Sequence, residues 1–505
     1  MDAIVSAVVG DLIGRSASFL IDRCCQPQPN VDAILWRLER LLLRARAVVE
    51  EAAGRRITNR AMLQQLEILR RGMHRGHYML DAFKYRSDGG NARVVVEDDE
   101  EDEVSHSSSL LHKFNPAKRL RSFSGGGSGS SGSTMLFGVK ELQDTVDTLE
   151  KMMADMREFV VLLASYPRLR RQPYCDYLLL DKCMFGRQME RQRVLDFLLQ
   201  PEAPGVTESP AVLPIIGPIR SGKSTLVDHV CQDERVRSHF STILLFREDD
   251  HGVSNLREAS GLVKHRNNRL DGDVDDATWA RLKSSTTAAA AGAGSKVLIT
   301  SRSWKVARLG TTGTPPLRLE YLAPEAYWHL FKMLAFGGAD PDELPRQASM
   351  AMEIAAEQRQ CFVSAYIIAG MLRDNLGDEG FWRAVLWRVR GYKRENLHRF
   401  EEHPGALLRR DDPVYCWTLG KSRGYFLIRR YHQVTEVAGE VPEMTVRDVI
   451  LGCATTPRGE FEALSWKSRI APYFSYTVTC VVPEGRAAAP EAKKRRNPPK
   501  EYVLC

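Results

Sequence analysis

The stretch VLPIIGPIRSGKSTLVDHV, residues 212–230, decides the fold of the middle part of the chain. It consists of an apolar, β-branched run, the pattern G-x-x-x-x-G-K-S over residues 217–224, and an amphipathic segment. A strand, a glycine-rich turn and a helix in this order place backbone N–H groups and a helix N-terminus around phosphate groups. The stretch therefore predicts a phosphate-binding loop in an α/β domain.

Each residue type in this loop has an expected role. Gly217 and Gly222 allow the backbone to curl around the phosphates, and Lys223 supplies a point charge to them. Ser224 is the expected Mg²⁺ ligand. The predicted phosphate-contacting residues are Gly217, Pro218, Ile219, Arg220, Ser221, Gly222, Lys223, Ser224 and Thr225.

Cleavage of a nucleotide also needs a carboxylate at the end of a neighbouring buried strand. The acidic cluster in range lies in RLDGDVDDATW, where Asp271, Asp273, Asp275 and Asp276 follow KHRNNRL, a segment without an apolar run. The strand that would aim a carboxylate is therefore expected to be missing, and the cluster to be a solvated loop. Whether the chain is an enzyme stays open; we expect binding with weak or absent hydrolysis.

The hydrophobic pattern divides the chain into segments of different character. Apolar residues at helical spacing predict a bundle at the N-terminus, and alternating strand and helix patterns after residue 183 predict a parallel sheet covered by helices. The expected fold is thus multidomain, α and α/β. The predicted units are a helical bundle at 1–86, an acidic and Gly/Ser-rich disordered linker at 87–134, a coiled-coil-like helix at 135–170, a P-loop nucleotide-binding domain at 183–310, a helical region at 311–400, a β-containing region at 401–485 and a basic tail at 486–505.

The helix seam at 139–163 has two interpretations, and three strands are expected near the C-terminus. The seam from Val139 to Leu163 fits either packing into the N-terminal bundle or self-association. Near the C-terminus, MTVRDVIL (444–451), FEALSW (461–466) and YFSYTVTCVV (473–482) are each expected to form a strand of a small β unit.

Composition narrows the function classes. With 43% hydrophobic and 27% charged residues, the chain has the composition of a globular protein, and a net charge of +7 without a focused patch makes nucleic acid an unlikely partner. Ten scattered cysteines predict reduced thiols and no zinc site.

The N-terminus, interrupted by Asp11 and Arg15, does not resemble a signal peptide, and no apolar run is long enough to span a membrane. A cytoplasmic location is expected, with a nuclear one if the run KKRR at 493–496 is an import signal.

Together these motifs resemble plant intracellular immune receptors of the coiled-coil, nucleotide-binding class (CC-NB-ARC, of the NLR family with an Rx-type N-terminal domain), over about residues 1–400. MLDAFKYR (79–86) stands where the family's acidic helix motif ends, with Asp81 as its remaining carboxylate. MFGRQMERQRVLDFLL (184–199) resembles the segment whose Gly-Arg pair, here Gly186 and Arg187, borders the adenine pocket. GSKVLITSR (294–302) resembles the strand ending in the arginine that senses the terminal phosphate, which implies that role for Arg302.

The chain departs from the family pattern at several points. Phe362 stands where the family has a proline that packs on adenine, and the region after residue 400 has no His-Asp motif and no leucine-rich repeats. The chain therefore resembles a shortened or divergent member of the family. The resemblance still implies ADP or ATP with Mg²⁺ as cofactors.

Three functions follow as hypotheses. The first is an ADP/ATP-regulated signalling switch in plant defence, whose bundle binds immune receptors or signalling proteins or self-associates. The second is a degenerate, non-hydrolysing scaffold or regulatory partner of full-length receptors. The third, a metabolic P-loop kinase or ATPase, is the weakest, because neither an acceptor site nor a catalytic base can be named.

Overall fold

The computed structural model describes most of the predicted units. It covers residues 31–88, 138–167, 184–200, 211–247, 262–266, 296–419, 425–434, 441–468 and 475–482, apart from gaps at 56, 58, 219, 242, 312–313, 411, 453–456 and 458. The predicted linker beyond residue 88, the basic tail, Ile219 and the acidic cluster at 271–276 lie outside the described residues.

Three long helices form the N-terminal bundle: α1 (Val31–Ala53), α2 (Arg60–Asp88) and α3 (Val139–Ala164). The apolar seam of α3 is buried against the other two helices. Its buried members are Leu142, Val146, Leu149, Met156 and Leu163, and Phe159 of the same helix is buried beside them. Most of the seam therefore packs inside the bundle, whereas Val160 is exposed. Self-association of the bundle stays a prediction.

The nucleotide unit is built on a five-stranded parallel sheet. Its strands are β1 (Ala211–Ile216), β2 (Ile243–Arg247), β3 (Leu262–Arg266), β4 (Lys296–Ser301) and β5 (Leu317–Arg318), in the order β2-β3-β4-β1-β5. Helices α4 (Gln188–Leu199), α5 (Lys223–Cys231) and α6 (Glu234–His239) accompany it. The predicted α/β architecture is confirmed, and the carboxyl ends of the strands share the edge at which the phosphate loop begins.

The expectation of a missing strand was wrong. The segment LVKHR forms β3, which is paired in parallel with both β2 and β4. Only its first two residues are apolar, so its hydrophobicity gave little strand signal, and its neighbours' backbone hydrogen bonds decide its state. The strand is present, but its sequence contains no carboxylate.

Five α-helices directly follow the sheet in the described residues; four lie within 311–400, and the fifth lies in the region expected to contain β structure. These are α7 (Pro324–Phe336), α8 (Pro345–Glu357), α9 (Phe362–Asp374), α10 (Glu379–Phe400) and α11 (Pro404–Arg410). Their core contains large, fully buried side chains, among them Trp328, Phe331 and Trp382. The same core continues into the C-terminal region and also includes Tyr78 and Tyr85 of α2, so the bundle and the helical region pack against each other.

The C-terminal region is a four-stranded antiparallel sheet with one short helix. Its strands β6 (Val414–Trp417), β7 (Tyr425–Val434), β8 (Gly459–Lys467) and β9 (Ser475–Val482) have the order β6-β7-β9-β8. The strands expected at 461–466 and 473–482 are confirmed as β8 and β9. The strand expected at 444–451 is instead helix α12 (Val446–Leu451).

Local capping explains this correction. Thr445 accepts a hydrogen bond from the Asp448 N–H, and the Asp448 carboxylate accepts one from the Thr445 N–H, which forms a capping box. Gly452, with φ 70°, ends the helix in the left-handed conformation. The buried residues Val446, Val449 and Ile450 have helical spacing. Six residues are too few for this spacing to be recognised in the sequence, and the β-branched composition of the segment favoured a strand.

One buried carboxylate connects the bundle to the helical region. Asp81 on α2 is 5% exposed and accepts hydrogen bonds from Trp328 Nε1 at 2.8 Å and Lys332 Nζ at 2.5 Å, both on α7. One turn further along α2, Lys84 and Tyr85 bind Asp342, the tyrosine through its hydroxyl at 3.1 Å. The remaining carboxylate of the acidic motif is therefore the centre of a docking contact.

A histidine junction lies beside this contact. It consists of His74 and His77 on α2, His329 on α7, and Phe185, which precedes α4. The His329 ring centroid lies 5.0 Å from that of His74, 6.1 Å from that of His77 and 5.9 Å from that of Phe185. The bundle, the helical region and the nucleotide unit thus meet at one cluster of imidazoles.

Burial lowers the pKa of His74 and of His77 to about 4, and it lowers that of His329 as well. The charged groups that face the three rings lower these values further, because all are cations. They are Arg46 on α1, Arg70 on α2 and Lys332 on α7. The folded junction therefore binds fewer protons than the unfolded chain. Its contribution to the free energy of unfolding is fully present above the ordinary histidine pKa and is lost as the pH falls towards 4.

We expect a change from pH 7.5 to pH 5 to lower the free energy of unfolding by about 2 kcal/mol for each of His74 and His77. Thermal melting at both pH values should therefore show a smaller acid-induced loss in the double variant His74→Gln/His77→Gln than in the wild type. The exposed His239→Gln is the control and should follow the wild type. Equal losses in the double variant and the wild type would contradict this origin of the pH dependence.

Candidate functional site

The phosphate loop connects the end of β1 to the start of α5, as its sequence predicts. Gly222 precedes the helix with φ 91°, a left-handed conformation that favours glycine. At the other end, a Cβ on Gly217 would lie only 2.1 Å from the carbonyl oxygen of Leu319. Both glycines of the motif are therefore required by the backbone itself.

Hydrogen bonds fix the loop at the carboxyl edge of the sheet. The N–H of Gly217 donates to the carbonyl of Ser301, the last residue of β4, at 3.1 Å. The N–H of Leu319 donates to the carbonyl of Ile216 at 2.7 Å. The loop thus begins between the neighbouring strands β4 and β5, where the nucleotide of a P-loop domain binds.

Lys223 places its ammonium against the loop. Its Nζ donates to the carbonyl of Gly217 at 2.7 Å and to that of Pro218 at 2.6 Å. The ammonium charge therefore lies where the loop backbone curls. The phosphate-binding role that the motif predicts for Lys223 stays a prediction.

The other residues of the loop differ in burial. Ser221 is fully buried, and its hydroxyl points back towards Gly217, with Oγ 3.2 Å from the place of a Cβ on that residue. Arg220 has φ 59°. Ser224 and Thr225 are partly buried in the first turn of α5, where a hydroxyl would meet a metal ion that accompanies a phosphate.

Arg302 directly follows β4 and therefore lies close to the loop along the sheet edge. Its neighbour Ser301 is paired in register with Ile216, the last residue of β1. The structure thus brings together the loop and the arginine to which the resemblance gives a sensing role. Phe362, by contrast, is the first residue of α9 and packs against the core of the helical region.

The side chain of Arg187 contacts the backbone of the phosphate loop. The guanidinium is 4% exposed, and its Nη2 donates to the Ser221 carbonyl at 3.2 Å and to the Glu320 carbonyl. Its Nη1 donates to Glu190 at 3.1 Å. Gly186, with φ 65°, lies where a Cβ would be 2.8 Å from Leu322 Cδ2. Sequence reasoning missed this contact, because backbone acceptors distant in sequence leave no residue-type signal.

The described strand β3, LVKHR, contains no carboxylate. Arg266, its last residue, is paired in register with Thr300 of β4 and with Arg247 of β2. Within the described ranges, no group of three or more His, Cys, Asp or Glu residues is arranged to hold a metal ion, and no helix is long and apolar enough to cross a membrane.

No protein-family model matches the chain. It is 28% identical over 275 residues to the disease resistance protein RGA4 of Solanum bulbocastanum, and 28% identical over 225 residues to RGA2 of the same plant. These matches cover 49% and 39% of this chain and 27% and 22% of the relatives. The chain thus matches about a quarter of the length of these curated relatives.

Among solved structures, C. elegans PCH-2 is similar at 11% identity and a TM-score of 0.27, covering 40% of this chain and 65% of that one. Drosophila ORC bound to DNA is similar at 12% identity and a TM-score of 0.28, covering 46% and 70%. Over about half of its length, the chain is similar to plant disease resistance proteins.

Proposed function

We propose that the chain is an adenine-nucleotide-binding signalling switch in plant defence, with the α1–α3 bundle as its interaction module. The observation that carries this proposal is the complete phosphate loop at the carboxyl edge of the sheet, with the Lys223 ammonium held against it. The curated relatives support the connection with defence.

The residues of the loop fit a nucleoside diphosphate or triphosphate. The glycine at 217 leaves room for the backbone to close, and the start of α5 adds the positive end of a helix. Mg²⁺ would be held by the Ser224 hydroxyl together with phosphate oxygens and water, as this ion commonly is. Adenine is the proposed base on the ground of the family resemblance.

The proposed switch has two states, which differ in whether the bundle is docked on the helical region. In the ADP-bound state, the contacts of Asp81 and Asp342 keep α2 on the helical region. Exchange for ATP would favour a state in which these contacts are released, with Arg302 as the sensor of the terminal phosphate. Such a shift needs a difference in nucleotide affinity between the two states.

One observation favours the second candidate, a scaffold that binds nucleotide without turnover or does not bind it. The sequence of β3 has no carboxylate at the position where hydrolysis needs one. The two candidates differ in whether nucleotide is bound and whether it changes the docking of the bundle. Nucleotide retention and the coupling of ADP release to docking distinguish the two candidates, and the hydrolysis assay tests the expectation that both share.

We expect the purified protein to retain an adenine nucleotide, and Lys223→Ala to abolish this retention, because the ammonium is the main phosphate charge of the loop. Mass spectrometry of the supernatant after denaturation measures the bound nucleotide. Lys151→Ala, an exposed position on α3, should retain it as the wild type does. Equal nucleotide content in Lys223→Ala and the wild type would remove Lys223 from the site.

Hydrolysis should be very slow or absent although the nucleotide binds. Without an aligned carboxylate, the site lacks transition-state stabilisation of several kcal/mol, on the order of a thousandfold in rate. A single-turnover assay with labelled ATP measures this rate. A rate typical of an active ATPase that is lost in Asp276→Ala would contradict the expectation, since it would reveal a working carboxylate.

Release of ADP should be about fivefold faster in Asp81→Asn than in the wild type, if docking and nucleotide binding are coupled by about 1 kcal/mol. The substitution removes the charge paired with Lys332 and keeps an oxygen for Trp328. Stopped-flow release of a fluorescent ADP provides the rate. Asp144→Asn, exposed on α3, is the matched control, and equal rates in all three proteins would favour the scaffold.

A further inference from the structure

Arg187 connects three segments that are distant in sequence. Its guanidinium binds the carbonyl of Ser221 in the phosphate loop, the carbonyl of Glu320 and the carboxylate of Glu190. Glu320 stands between β5 and α7, and Glu190 lies in the first turn of α4. A side chain that is 4% exposed and satisfies carbonyls on two segments holds them at a fixed separation.

The contact with the Ser221 carbonyl also orients the N–H of the next residue, Gly222. The Ser221 carbonyl and the Gly222 N–H belong to the same peptide unit, which is planar and trans, so the two groups point in opposite directions. A guanidinium that holds the carbonyl on one side therefore directs the Gly222 N–H to the other. In a phosphate loop, such backbone N–H groups are the donors to the phosphates.

We propose that Arg187 is a positioning residue for the phosphate loop, which fixes the Gly222 N–H towards the β-phosphate of the nucleotide by holding the Ser221 carbonyl against the Glu320 backbone. The inference rests on the proposed nucleotide binding, and it differs from a role at the border of the adenine pocket. In that role the arginine would contribute equally to every adenine nucleotide. As a positioning residue it contributes mainly to nucleotides that carry a β-phosphate.

Lysine cannot replace arginine in this position. The guanidinium has donors in a planar fork, whereas an ammonium is a point charge on a flexible stem. Arg187→Lys therefore keeps the charge near the loop but not the simultaneous contacts with Ser221, Glu320 and Glu190. The matched control is Arg191→Ala, one turn along α4, where the guanidinium pairs with Asp233 at 2.7 Å instead of with the loop.

The test is isothermal titration of nucleotide-free protein with ADP and with AMP, after melting curves have shown that each variant is folded. In Arg187→Lys we expect the affinity for ADP to fall about tenfold and the affinity for AMP to fall less than about threefold, since a hydrogen bond that a charged group orients is worth about this much. Arg191→Ala should keep the wild-type ratio of the two affinities. Arg187→Gln, which is neutral, is the second variant and should lower the ADP affinity at least as far.

The outcomes separate this inference from the proposed function. Equal losses of ADP and AMP affinity in Arg187→Lys would overturn the inference in favour of the adenine border, and unchanged affinities would overturn it outright. Both results leave nucleotide binding by the wild type intact. A wild type that binds neither nucleotide would overturn the proposed function and this inference together.

Discussion

The close contact between Gly217 and the Leu319 carbonyl is the constraint on which the nucleotide unit depends. With a Cβ at residue 217 only 2.1 Å from that oxygen, the segment after β5 could not lie against the start of the loop. The N–H of Leu319 then could not bind Ile216, and β5 would lose its place beside β1. The motif glycine thus shapes the loop and also positions the chain that leads into the helical region.

That segment also gives the loop a physical connection to the bundle. Glu320, whose carbonyl binds Arg187, lies a few residues before α7, and α7 carries the Trp328 and Lys332 that bind Asp81. The route consists of these hydrogen bonds, the short connection at 321–323 and the helix α7. Contiguity alone does not establish coupling, which needs two arrangements that both sites bias. It does identify the few contacts through which coupling would act in this chain.

The sequence predicted the parts of the molecule whose residue types are dictated by local chemistry. The phosphate loop and the seam of α3 are of this kind, because glycine, lysine and apolar spacing each reflect one local requirement. The strand β3 could not be predicted from LVKHR, since pairing with β2 and β4 decides its state. The helix α12 depends on its Thr445 cap, and the partners of Arg187 are backbone carbonyls, which no residue type reveals.

The chemistry of the sheet edge bears on how a switch of this kind would be reset. The last register pair of β2 and β3 is Arg247 with Arg266, and the sequence of β3 contains no carboxylate. Hydrolysis needs a carboxylate that orients metal and water, whereas binding needs only the backbone cradle and the lysine. A site that retains nucleotide without cleaving it changes state only by exchange. The rate of switching would then be set by dissociation of the nucleotide, and hence by how rigidly Arg187 and Gly217 hold the loop around the phosphates.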